Sequence, residues 1–434
     1  MNRRRRNGLA IVAVVVLVAA LATIGALGGG LRSGTRSTTT STSTNPVIVN
    51  PYAAEEARDV SAAERDVDAR LPTSPGEPAP ALGARQYRVP LAAHEVVGFV
   101  PYYELGAIGS EKLASFTDLV YSSLGVTKTG TLMESGTSSG WPALHEGQVN
   151  PLIAGGHAAR DRVLLSVFSD SESVIEPLSA NASETGLTLA NRVAPLLRLY
   201  GFDGVDLDLE GGAATDRAGF ARFVEAFAAR LRAIDPTWAI MLNTYPQSAE
   251  DPSGFIDVQA CAPFVDQLFV MAYDMEADSE IPSANAPLTG ADLSDASALA
   301  TYEHAGLSPK TILGVPFYGY DFPAAGPHVG TAATAQPYAV TYDQVAASVT
   351  QDGHKPLWDS ITETAYTVFR RQGKWHQTWF DDPVSIALKT ALASEFKVAG
   401  VGAWELGMVG DQQEMIAALT GGNRVVKLPL ASRT

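Results

Sequence analysis

The sequence predicts an α/β fold: a (β/α)8 TIM barrel with a small insertion between strands seven and eight, preceded by a membrane-spanning segment and a linker. Three observations carry that expectation. Eight short runs rich in Val, Ile, Leu and aromatic residues recur between residues 95 and 404. Near-continuous apolar runs of that length mark strands covered on both faces. Amphipathic helical stretches separate several of them, and strand–helix alternation builds a parallel sheet. Between Tyr200 and Gly212, the acids Asp206, Asp208 and Glu210 alternate with Val205, Leu207 and Leu209. That period of two belongs to a strand, and it puts the acids on one face and the apolar residues on the other.

Taken in order, residues 1–7 form a basic tail with four arginines, and residues 8–30 run without a single charge. Such a run is long enough to cross a bilayer. The arginines before it predict a cytoplasmic N-terminus and an exported remainder. A cleaved signal peptide is the competing reading, although Ala26-Leu-Gly28 makes a poor cleavage site. The expected placement is a bacterial-type cell membrane, crossed once, with the catalytic domain outside the cytoplasm, or secretion if the segment is removed. Residues 31–86 read as a flexible linker: a Ser/Thr tract at 33–44, then Pro and Gly among small residues at 71–84. The folded domain is expected over residues 87–420, followed by a tail at 421–434.

Within the domain the strand-like runs are residues 95–103, 118–124, 162–168, 202–210, 238–245, 265–273, 311–318 and 398–404. The clearest helix is 216–234. Phe220, Phe223, Val224, Phe227 and Leu231 fall on one stripe, and Asp235-Pro236 stops it. Residues 187–200 and 295–306 read similarly. A doubly wound open sheet is the alternative, but no G-x-G-x-x-G follows the first strand. Two long segments break the rhythm, residues 127–160 and about 320–383, and the second is long enough for a small inserted subdomain.

The chain has 434 residues, 46% of them hydrophobic, which is sufficient for a large core. Taking the six arginines of residues 1–36 from the total charge of −16 leaves −22 on residues 37–434. So acidic a body argues against a nucleic-acid partner. The single cysteine, Cys261, forbids an intrachain disulfide and has no nucleophile motif around it.

Three carboxylates on one strand face raise one another's pKa, so at least one holds a proton near neutrality. Glu210 is the outermost, and a protonated carboxyl there can donate to a leaving-group oxygen. A merely solvated acidic face is disfavoured by the apolar residue at every alternate position. A calcium loop of EF-hand type requires Glu at its twelfth position, which counted from Asp206 is Arg217. Asp203 is out of phase and belongs near the strand start. In a barrel the site gathers at the C-terminal strand ends. Those ends carry Tyr103, Asn243, Tyr245, Met271, Tyr273, Asp274, Tyr318 and Trp404 besides Glu210. Aromatic faces and fixed polar groups are what a pyranose ring requires.

Asp203-x-x-Asp206-x-Asp208-x-Glu210 resembles the D-x-x-D-x-D-x-E signature of glycoside hydrolase family 18, the chitinase family. Met271-x-Tyr273-Asp274 is similar to the family's M-x-Y-D, and Trp404 to the eighth-strand tryptophan under the cleaved sugar. Tyr318-Gly-Tyr-Asp321, Pro356-Leu-Trp-Asp359 and the run from Trp379 to Lys389 resemble one branch, which includes bacterial spore-cortex-lytic glycosylases and an animal chitinase-domain protein. The resemblance covers about residues 90–420. One motif departs: Phe168 and Ser169, after Ser166, stand where the family often has two glycines.

The resemblance implies a retaining, substrate-assisted glycosidase with no metal and no cofactor. Its partner would be an N-acetylglucosamine-containing polysaccharide: chitin, chitooligosaccharide or the glycan of peptidoglycan. Glu210 would be the general acid and base, Asp208 the residue orienting the acetamide, Asp206 its proton partner and Tyr273 a donor to the acetamide oxygen. Trp404, Asp274, Met271, Tyr103, Asn243, Tyr245 and Tyr318 would contact substrate, with Asp203 structural. Two rival readings remain, a lectin on the same barrel and a metal-dependent hydrolase. Against the latter, no histidine neighbours the acid motif.

Overall fold

The computed structural model describes residues 77–78, 94–106, 113, 115–135, 139–275 and 280–421. The expected basic tail, the apolar run at 8–30, most of the linker and the C-terminal tail beyond 421 lie outside the described residues. Among the described residues no helix is long and apolar enough to cross a membrane.

Eight parallel strands close on themselves. They are β2 (Glu95–Pro101), β3 (Asp118–Gly125), β4 (Arg162–Ser169), β5 (Gly204–Leu209), β6 (Ala239–Thr244), β7 (Gln267–Met271), β8 (Thr311–Pro316) and β14 (Gly400–Trp404). Each pairs with the next in the chain, and β14 pairs with both β8 and β2, which closes the barrel. Alternation divides the side chains. Val97, Phe99, Val120, Leu164, Met241, Phe269 and Ile312 fill the interior. Val205, Leu207 and Leu209 belong to the layer between strands and helices. The acids of β5 therefore point inward.

The helix expected over 216–234 is α5 (Arg217–Ile234). Its Phe220, Phe223, Val224, Phe227 and Leu231 are all buried, each burial stabilising by about 1.5–3 kcal/mol. It packs along α4 (Ala182–Tyr200), which begins earlier than its sequence pattern indicates. A Cβ on Gly186 of α4 would lie 2.7 Å from the Phe223 carbonyl oxygen, so glycine sets the closeness of the two helices. Residues 127–160 fold partly as α1 (Trp141–His145) and α2 (Asn150–Ala159). Helix α3 (Glu172–Ala180) and the short α6 (Val258–Cys261) complete this side. Cys261 is buried, and burial pushes its thiol up to about 12, the state of an inert core cysteine.

The run expected at 311–318 divides. Barrel pairing ends where Pro316 meets Trp404, and the chain turns into the insertion at Tyr318. The insertion is an antiparallel sheet of β9 (Tyr318–Ala324), β10 (Tyr338–Thr341), β11 (Leu357–Asp359), β12 (Thr364–Arg371) and β13 (Lys374–Phe380), with α8 (Tyr342–Ala347) between β10 and β11. One expectation is corrected here. Within the stretch read as linker, Glu77–Pro78 forms β1 and pairs with Trp358 and Leu357 at the sheet's edge. An edge strand tolerates Pro, which lacks an N–H, and backbone pairing leaves no hydrophobic pattern to read.

Helix α9 (Pro383–Glu395) leads back to the barrel, and α10 (Gln413–Leu419) follows β14. A buried ion cluster joins insertion and barrel. Lys389 of α9 lies 2.7 Å from Asp295, the first residue of α7 (Asp295–His304), and 3.3 Å from Asp381, which follows β13. Its Nζ also donates to the Ala286 carbonyl.

Candidate active site

Strand β5 supplies an acid ladder at the barrel's C-terminal mouth. Asp206 and Asp208 are 0% and 5% exposed. Asp206 stands opposite Ser166 in the β4–β5 register, and Asp208 opposite Phe168. Glu210 follows the last strand residue, and its N–H donates to the Ser169 carbonyl at 2.7 Å. Gly211 turns the chain away in the left-handed region (φ 76°), where a Cβ would fall 2.2 Å from the Asp170 carbonyl oxygen.

Burial dominates the electrostatics. It raises Asp206 well above the ordinary range, and the charge of Asp208 adds to it while Ser166 opposes. Burial lifts Asp208 to about 6 against the hydrogen-bonding influence of Asn243, with Asp170 adding to the rise. It lifts Glu210 to about 8, and the charge of Asp208 is the next largest cause, with Asp274 and Asp170 adding to the rise. The Tyr245 hydroxyl opposes this by donating to Glu210 Oε2 at 3.2 Å. The outermost carboxyl is therefore protonated at neutral pH, as an acid catalyst requires.

Tyr273 and Asp274 follow β7. Burial first, then the charges of Asp208, Glu210, Asp274 and Asp206, hold the Tyr273 phenol protonated and hence a donor. Asp274 sits in the left-handed region (φ 57°). Its N–H donates to Asn285 Oδ1 at 2.8 Å, and its Oδ1 accepts from the hydroxyls of Tyr318 and Tyr320, each at 2.6 Å. Trp404 rests on Phe99, ring centroids 5.4 Å apart, as part of the barrel's inner cluster.

The structure thus brings Asp206, Asp208, Glu210, Tyr273, Asp274, Asn243, Tyr245, Tyr318 and Trp404 to one mouth. Met271 is also there, but packed into the inner cluster. Tyr245 turns its hydroxyl onto Glu210. Tyr103 is half-exposed beyond β2, and its charged neighbours are Glu405 and Glu104 rather than the ladder. Asp203 lies at the opposite end of β5. Its Oδ2 accepts from the Val163 N–H at 2.8 Å and lies 2.9 Å from His157 Nε2, the place expected of a structural residue.

Three residues escaped the sequence reading. Asp170 directly follows β4, and its charge bears on Asp208 and Glu210. Tyr320 had a signal, since Tyr318-x-Tyr320 has the strand period. Asn285 lies in a loop with no periodicity and had none. Among the described residues there is no group of three or more His, Cys, Asp or Glu side chains placed to hold a metal ion.

The profile of glycosyl hydrolases family 18 matches residues 95–408. Mouse (Mus musculus) di-N-acetylchitobiase is 33% identical over 178 residues, covering 35% of this chain and 45% of that protein. The cortical fragment-lytic enzyme of Bacillus anthracis is 24% identical over 217 residues, covering 48% and 47%. The chain spans about half the length of these curated relatives. In fold it is similar to a family 18 chitinase from Cycas revoluta solved with (GlcNAc)3, at TM-score 0.65 and 20% identity, covering 75% of this chain and 98% of that one. With the profile running from the first barrel strand past the last and the acid ladder seated at the mouth, the chain belongs to glycosyl hydrolases family 18.

Proposed function

We propose that this chain is a retaining glycoside hydrolase that cleaves β-1,4 bonds next to N-acetylglucosamine by a substrate-assisted route. The observation that carries the reading is the Glu210 carboxyl, held at about 8 at the mouth of the barrel directly above Asp208. Glu210 gives its proton to the glycosidic oxygen as the C1–O bond breaks. The acetamide carbonyl oxygen of the same sugar attacks C1 from the other face. Asp208 accepts from the acetamide N–H and stabilises the oxazolinium cation, while Asp206 beneath it exchanges the proton that lets this charge develop. Tyr273 donates to the acetamide oxygen and holds the attack geometry. Trp404 is the floor on which the sugar stacks. Glu210, now a carboxylate, takes a proton from water. The water oxygen then opens the oxazolinium at C1, which restores the acid and retains the configuration.

The substrate class is chitin, chitooligosaccharide or peptidoglycan glycan. Both relatives fit it by name, a chitobiase and a cortex-fragment enzyme. A catalytic domain outside the cytoplasm, tethered or released at residues 8–30, favours cell-wall glycan. The test is to incubate purified chain that begins upstream of Glu77 with N-acetylglucosamine oligomers and with peptidoglycan. Products are read by mass, beside a Glu210→Gln copy. New GlcNAc-ended fragments from the wild type alone establish the hydrolase, and the substrate cut fixes the class. No fragments, with both proteins retained on chitin or cell wall, would replace this reading by a lectin. The side chain of Phe168, half-buried beside Asp208, is then where the cleft has closed.

A further inference from the structure

We infer that the inserted sheet belongs to the catalytic site through Tyr318 and Tyr320, a pair of positioning residues whose hydroxyls clamp Asp274 and fix how its carboxylate meets the substrate. The kinetic part of this inference rests on the glycosidase reading; the geometric part does not.

Tyr318 and Tyr320 stand two residues apart on β9, so they leave the strand on one face. Both are buried, at 7% and 1% exposure. Their hydroxyls converge on a single atom, Asp274 Oδ1, at 2.6 Å each. O–H donors that close to a carboxylate are of the short, charge-assisted kind. The backbone of Asp274 is held as firmly as its side chain. Its left-handed conformation is one that a non-glycine residue rarely adopts, and Asn285 Oδ1 accepts its N–H. Asn285 Nδ2 in turn donates to the Tyr318 carbonyl at 3.2 Å.

Asp274, Asn285 and Tyr318 therefore close a ring of hydrogen bonds, and Tyr320 adds a second donor to the same oxygen. The Tyr273 ring packs edge-on against Tyr318 at 6.1 Å, so the proposed acetamide donor leans on the same clamp. The negative charge of Asp274 also contributes to the rise at Glu210 and Tyr273. A carboxylate whose charge reaches both proton donors must be held in one place for their protonation to be constant. The insertion is what holds it.

A double-mutant comparison separates this from a packing role, because Tyr→Phe keeps both rings. With Asp274 present, Tyr318→Phe/Tyr320→Phe is expected to lower kcat/KM on N-acetylglucosamine oligomers about 30-fold, mainly in kcat. Each single change should cost less, since the other phenol keeps its hold. In an Asp274→Ala background the same pair should cost less than about threefold. Equal losses in both backgrounds would overturn the clamp. If the wild type cuts neither these oligomers nor peptidoglycan, the glycosidase reading falls and a crystal structure of the double variant decides the clamp by itself. An Asp274 carboxylate that has rotated or taken several orientations supports it, and a single unchanged orientation overturns it. Tyr320→Phe alone serves the same comparison if the double variant does not fold.

Discussion

Glu210 carries two expectations that pull in opposite directions. In the proposed mechanism it is the proton donor, so Glu210→Gln is expected to lower kcat by at least about 1,000-fold. As a half-buried, desolvated carboxyl it opposes folding at higher pH. Its folded value of about 8 lies above the ordinary 4.5, so between those limits the folded chain keeps a proton that the unfolded chain has released. Stability then falls as pH rises from about 4.5 to about 8. The glutamine variant should lose that slope and melt higher than wild type at pH 8, by about 2 °C. A lower melting point in a calorimetric scan would show that Glu210 is structurally required. The wild-type rate should decline above pH 8, as the acid form is lost. Tyr245→Phe removes the hydroxyl that favours ionised Glu210, so the alkaline limb of the kcat/KM profile should move to higher pH. The ladder itself was legible in the sequence, because a period of two with charge on one phase and Val or Leu on the other marks a strand with one polar face. Two of the partners of Asp274 were not read as site residues. Asn285 and Tyr320 reach it from a loop and from an inserted strand, and only tertiary folding brings them together.

Strands and helices were easiest to read where burial is one-sided or complete. Helix α5 announced itself through its apolar stripe, and the barrel strands through their unbroken Val/Ile/Leu runs. Five of the eight strand ends were read one or two residues too long, because side chains of the same kind continue into the mouth after ladder pairing stops, while the second and third strands run one residue further than their patterns indicate. The ion cluster around Lys389 left no pattern in the sequence, since its members come from α7, α9 and the residue after β13. Lys389→Met leaves Asp295 and Asp381 buried without their cation and is expected to cost about 3–5 kcal/mol in denaturant unfolding. A loss below about 1 kcal/mol would mean that the two carboxyls are neutral in the folded chain and need no partner.

For the molecule as a whole, the Asp274 clamp and the Lys389 cluster both bridge barrel and insertion. The two are expected to melt in one calorimetric transition; two resolved transitions would show that the sheet folds independently. Hydrolysis is expected to be unchanged by prior dialysis against EDTA, and a loss restored by a divalent ion would revive the metal-dependent reading. The pairing of Pro78 with Leu357 has a consequence for how the chain is made. A ribosome delivers β1 before any barrel strand and β11 only after seven of the eight, so the outer edge of the insertion is among the last seams to close. A chain arrested in synthesis before Leu357 has its barrel unclosed and β1 without a mate. It is the kind of intermediate that invites a chaperone or a protease.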